Sequence, residues 1–193
     1  MRNIVARLCM SEDSIVDRPE HWPARTDQLL TGTETVLLGR QTFEQYADSL
    51  AGLEQCRKLV IASRPGIACP NTEILQGDAR RILTALKQVP GADLHVVGSL
   101  TLIRSLLRWR LIDEVSLLIH PVAAGRGILL DRSNLRLISM CALDGGLLEA
   151  SYRVHYAATA VSSSSLASTG RWAGTRSSAS VANVPRAAVR THA

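Results

Sequence analysis

LHVVGSLTLIRSLLRWRLIDEVSLLIHPVAAGRG, residues 94–127, is the stretch that decides how this chain folds. Leu94, Val96 and Val97 make a short apolar run that breaks at Gly98-Ser99, a small-residue turn of the kind that lets a backbone approach a ligand closely. Thr101, Arg104, Ser105 and Arg108 then recur at helical spacing as one polar stripe, with leucines and Ile103 filling the rest of the circumference. A helix that packs on a sheet is expected there. Asp113-Glu114 punctuates, and Val115 to Ile119 reads as a strand covered on both sides. The unit is β-α-β. Its crossover should be right-handed, and its glycine turn should run into a helix start whose N–H groups are free to meet an anion.

Working outward, Ile4, Val5, Ala6 and Leu8 predict a first, central strand. A Gly-rich dinucleotide turn would follow such a strand in a Rossmann fold, but Ser11-Glu12-Asp13-Ser14 contains no glycine. Asp13 to Ala24 has no usable periodicity and predicts a loop over the strand ends. Thr26 or Asp27 could cap a short helix before Gly32. Thr35 to Leu38 predicts a second strand running into Gly39-Arg40-Gln41-Thr42 and a helix through Tyr46; Lys58 to Ala62 predicts a third, closed by Ser63-Arg64-Pro65-Gly66. Glu73 to Leu75 is a short strand, and Asp78 caps a helix that presents Ile82, Leu83, Leu86 and Val89. Leu135 to Leu143 and Leu147 to Tyr156, joined at Asp144-Gly145-Gly146, predict a hairpin.

Up to Glu149 seventeen cations match seventeen acids, so the net charge of +5 comes from five arginines beyond it. These are scattered singly, which argues against a nucleic-acid surface. From residue 158 the chain turns to Ser, Ala, Thr and Arg without acids or periodicity, and residues 158–193 are expected to be a disordered tail on a domain of residues 1–157. Cys9, Cys56, Cys69 and Cys141 have no metal or redox spacing. No apolar run is long enough to cross a membrane. A reduced, cytoplasmic protein without a bound metal is the expectation.

Three strand ends carry similar residues: Gly39-Arg40-Gln41-Thr42, Ser63-Arg64 and Gly98-Ser99-Leu100-Thr101. Ligands of an open α/β sheet sit outside the carboxyl ends of its strands, so these three ends predict a groove suited to an extended dinucleotide. Backbone N–H groups at two helix starts would take the pyrophosphate. Arg40 and Arg64 would meet a ribose 2′-phosphate, which favours NADPH over NADH.

These residues, together with Leu102, Leu106-Leu107, Leu111-Ile112-Asp113-Glu114, Pro121-Val122 and Gly125-Arg126-Gly127, resemble the dihydrofolate reductase-like fold. More narrowly they resemble the reductase (C-terminal) domain of the bacterial bifunctional riboflavin biosynthesis deaminase-reductase and its stand-alone relatives. The resemblance covers roughly residues 2–156. It implies a three-layer α/β domain with a mixed, mostly parallel sheet, helices on both faces and a C-terminal antiparallel hairpin. It implies NADPH binding at Gly39, Arg40, Thr42, Ser63, Arg64, Gly98, Ser99, Leu100 and Leu102, and a homodimer. The activity implied is hydride transfer to a small heterocyclic (pyrimidine- or pterin-like) or carbonyl substrate; the alternative is a nucleotide-binding protein of the same fold without reductase activity. Such relatives carry Ser-Leu-Asp-Gly where this chain has Ser11-Glu12-Asp13-Ser14, which implies Asp13 as the proton donor; the alternative is a solvated loop aspartate. Trp22 could stack on a flat substrate or cover the edge of the core. Asp113-Glu114, His120 and Gly125-Arg126-Gly127 are read as structural.

Overall fold

Short apolar runs that alternate or continue for four to eight residues pair into one sheet, and the loops between them set its order. The computed structural model describes residues 1–17, 32–46, 56–64 and 69–156. Among these, the strands are β1 (Ile4–Ser11), β2 (Thr35–Gly39), β3 (Arg57–Ile61), β4 (Thr72–Leu75), β5 (Leu94–Val97), β6 (Glu114–His120), β7 (Leu135–Ala142) and β8 (Leu148–Val154). The helices are α1 (Arg40–Tyr46), α2 (Ala79–Gln88) and α3 (Leu100–Arg108). The strand order is β4-β3-β2-β5-β1-β6-β8-β7. β1 is central as expected, parallel to β5 on one side and to β6 on the other. The expected hairpin is β7 with β8, antiparallel to each other and to β6, and its turn at Asp144–Gly146 is a single 3-10 turn. The helix expected near Thr26 and the tail at 158–193 lie outside the described residues.

Right-handed crossovers then assign the helices to faces. The step from β2 to β3 runs toward one edge of the sheet, whereas β4 to β5 and β5 to β6 run toward the other. α1 therefore lies on one face and α2 and α3 on the opposite one. The packing agrees. Leu83 of α2 and Leu102, Ile103 and Leu106 of α3 join Ile4, Ala6, Leu8, Leu94, Val96, Val115 and Leu117 in one apolar core. Phe43 of α1 joins Val36, Leu38, Val60, Val97 and Leu118 in a smaller one on the other face.

The end of the sheet away from the Gly98 turn is held by Asp113. One of its carboxylate oxygens accepts from the Ile4 N–H at 2.8 Å and the other from Lys87 Nζ at 2.7 Å, and Lys87 also donates to the Leu111 carbonyl at 3.0 Å. The side chain just ahead of β6 thus fixes where β1 begins and where α2 ends. Arg2 repeats the device, donating to the carbonyls of Val89 and Pro90 beyond the last turn of α2. The structural reading of Asp113-Glu114 has a definite form: a carboxylate clamp at the end of the sheet opposite the predicted groove. Asp113→Ala is expected to destabilise the fold by about 1–3 kcal/mol, the cost of leaving a buried donor unmet. Glu114→Ala, which breaks a 3.3 Å ion pair with the exposed Arg153, should cost less than about 1 kcal/mol. Urea denaturation of the two variants checks both values.

Candidate functional site

β3, β2 and β5 are neighbours, so the three strand ends singled out in the sequence lie side by side. Ser99 joins two of them. Its hydroxyl oxygen accepts the Gly39 N–H at 2.8 Å and its proton goes to Thr42 Oγ1 at 2.7 Å. Ser99 stands at the N-cap of α3, where a serine ordinarily bonds a first-turn N–H of its own helix, yet it makes no such bond. The Ser99 side chain therefore leaves the first-turn N–H groups of α3 uncapped. Gly98 makes the turn possible: its φ of +69° is in the left-handed region, where a side chain would be strained.

The arginines take different postures. Arg40 pairs with Glu44 one turn along α1, Nε to Oε1 at 2.6 Å, and donates through NH1 to the Arg64 carbonyl at 3.2 Å. It thereby ties the end of β2 to the residues after β3. Arg64 is exposed, next to the exposed Ser63, and its guanidinium has no partner among the described residues. The Leu102 side chain is buried in the larger core and Leu100 packs against it, so only their backbones can serve a ligand. With α1 barely two turns long, the open N–H groups are concentrated at α3. Trp22 lies outside the described residues.

The first loop is built differently from the expectation. Asp13 accepts from the Ser11 hydroxyl, from the Ala124 N–H at 3.0 Å and from the Gly125 N–H at 2.8 Å. These bonds, that of Ser11 foremost, hold its carboxyl down at about 2. Asp13, expected as the proton donor, is held here by three donors that favour the ionised carboxylate, and it ties the first loop to residues 124 and 125. Asp17 repeats the pattern on the Ile128 N–H at 2.6 Å, and Ile15 pairs with Leu129 in an antiparallel bridge. Gly125-Arg126-Gly127, read from sequence as a tight loop, is the other half of this clasp. A side chain at 127 would collide with Asp17 and Ile15.

The face of the sheet opposite α2 and α3 carries a group that sequence reasoning passed over. Alternation places Val5, Arg7 and Cys9 of β1 on that face, with His95 of β5, Ser116 of β6 and Glu149 of β8. Ser116 Oγ lies 3.5 Å from Glu149 Oε1. Burial lowers the Arg7 pKa and the nearby Glu149 carboxylate partly restores it. His95 is pushed down to about 4, by burial first and then by the charge of Arg7. Placing an arginine in mid-sheet costs desolvation that a purely structural strand would avoid. It also adjoins the groove, because the Arg7 carbonyl accepts the Gly98 N–H at 3.4 Å. The signal was present in the sequence as a single charge inside the apolar run of β1.

The sheet order and the C-terminal hairpin define the dihydrofolate reductase-like fold. The family model described as RibD C-terminal domain matches residues 9–148, and the chain belongs to that family. An uncharacterized protein of Bacillus subtilis (strain 168), YyaP, is 27% identical over 141 residues, covering 64% of this chain and 75% of that one. Among solved structures, a putative riboflavin biosynthesis protein from Shewanella sp. PV-4 superposes with a TM-score of 0.55 at 14% identity, over 80% of this chain and 99% of the other. Dihydrofolate reductase from Enterococcus faecalis, complexed with NADP(H) and RAB-propyl, superposes with a TM-score of 0.57 at 17% identity, over 79% and 96%. Both structural likenesses concern the fold.

Two of these groups set an acid limit on stability. His95, at about 4 against an ordinary 6.5, favours the native state fully above 6.5, and that contribution fades as the pH falls toward 4. Asp13, at about 2 against 3.8, contributes fully above 3.8 and loses its contribution as the pH falls toward 2. The melting temperature should therefore drop in two windows. His95→Gln should flatten the upper one and Asp13→Asn the lower, as followed by circular dichroism melts across the acid range.

Proposed function

We propose that this chain is an NADPH-dependent reductase that passes a hydride to a small heterocycle, pyrimidine- or pterin-like, or to a carbonyl compound. The observation that carries the reading is the Ser99 hydroxyl. It is spent on Gly39 and Thr42 rather than on its own helix, and so leaves the α3 N–H groups open between three adjacent strand ends. That cradle suits a pyrophosphate. Arg64, exposed beside it, and Arg40, bonded to the Arg64 backbone, supply guanidinium donors for a ribose 2′-phosphate.

NADPH bound along this groove supplies the hydride. The polar face around Arg7, Ser116 and Glu149 adjoins the Gly98 turn and offers both donors and acceptors to orient a flat polar substrate. An acidic side chain or water supplies the completing proton.

Calorimetric titration with NADPH and NADH tests the cofactor assignment. Arg64→Ala should weaken NADPH by about 10- to 100-fold, the loss of one or two charge-assisted bonds, and leave NADH nearly unchanged. Arg40→Ala should affect both, NADPH more. Equal losses for the two cofactors would refute the 2′-phosphate assignment. Cofactor binding without turnover across a panel of pterins, pyrimidines, imines and carbonyls would leave the protein as a nucleotide binder of this fold.

A further inference from the structure

Residues 79–112, the stretch that carries α2 and α3, hold six cations and a single acid, Asp93. Asp93 accepts the Asn3 N–H at 2.7 Å. The acids at either end of the stretch are also engaged: Asp78 accepts the Arg81 N–H at 3.2 Å as the N-cap of α2, and Asp113 holds Lys87. Arg80, Arg81, Arg104 and Arg108 are exposed, and their guanidiniums have no partner among the described residues. The chain up to Glu149 is neutral as a whole, so a positive face on these helices reflects segregation of charge.

Both helices give up stability to hold these cations. Arg80 and Arg81 lie in the first turn of α2, where the helix dipole favours acids, and that turn has none. Arg104 and Arg108 are four residues apart on α3, so two like charges stand one turn apart, about 6 Å along the axis. Helices shaped by stability alone take glutamates at such places. α2 and α3 pack on the same face of the sheet through Leu83, Leu102, Ile103 and Leu106, so the four exposed arginines belong to the outer surface of one packed layer.

We propose that the outer surface of α2 and α3 seats duplex DNA by its phosphates, without reading its sequence. The exposed residues of the two helices are the four arginines with Thr84, Ala85, Gln88 and Thr101. That is charge without anchors. A protein partner is gripped by aromatic and large apolar side chains at the centre of its interface, and a single strand by aromatics that stack on bases. Neither kind is exposed on α2 or α3, and Trp109, just beyond α3, packs against the core. A duplex presents a firm array of phosphates, for which guanidinium forks on a rigid surface suffice. Such a seat is independent of the reductase activity.

Fluorescence anisotropy of the full chain with a labelled DNA duplex of about twenty base pairs, followed from low to physiological salt, tests this. Binding is expected at low salt, with a logarithmic salt slope of about −3 to −4 for four neutralised phosphates. Arg104→Glu with Arg108→Glu should weaken it at least about tenfold and take about two units off the slope. Arg104→Lys with Arg108→Lys should keep most of the affinity, which separates loss of charge from misfolding. Arg132→Glu with Arg136→Glu, the same charge change at two exposed arginines before and within β7, should leave the slope unchanged. No binding at low salt would overturn the proposal, as would an α3 double variant that binds like the wild type. Equal losses in the α3 and β7 variants would overturn it in favour of net charge alone. Tighter binding of a single strand of the same length, or binding of phosphatidylserine-rich vesicles with none of the duplex, would overturn it in favour of those partners.

Discussion

The two-sided parallel pairing of β1 holds the molecule together. β1 lies between β5 and β6, strands that come some ninety and more than a hundred residues later in the chain, so the β5-α3-β6 unit must straddle it. Its start is fixed by Asp113 and its end opens into the loop that Asp13 and Asp17 fasten to residues 124–128. Since each residue of β1 faces one way or the other, its register decides both what is buried under α2 and α3 and what is offered on the opposite side.

The asymmetry of the two faces follows from that register. One face is continuous apolar core. The other combines a smaller core with Arg7, His95, Ser116 and Glu149, which lowers the packing gain there and places polar chemistry beside the Gly98 turn. A sheet built only for stability would hold no half-buried arginine at its centre. The rule of an apolar interior is broken there.

The hydroxyl of Ser99 and the carboxylate of Asp13 illustrate one physical point. Each residue type has an ordinary role at its position, helix cap in one case and solvated loop carboxylate in the other. Each is redirected by donors and acceptors that the fold brings from sixty or more than a hundred residues away. The redirected bonds leave α3 uncapped toward the groove and hold the first loop in place.

The sequence by itself determined the strand and helix pattern, the central place of β1, the β-α-β unit, the C-terminal hairpin and the three similar strand ends, which lie side by side. Those features rest on local periodicity and turn chemistry, which are written in neighbouring residues. Only the tertiary structure decided that Asp13 is a tether, that Gly125-Arg126-Gly127 receives it, that Leu102 is core, and that Arg7 shares a face with His95 and Glu149. Each of these depends on strand register or on a contact between distant segments. A side chain's partner across a sheet is set by pairing, which no window of adjacent residues records.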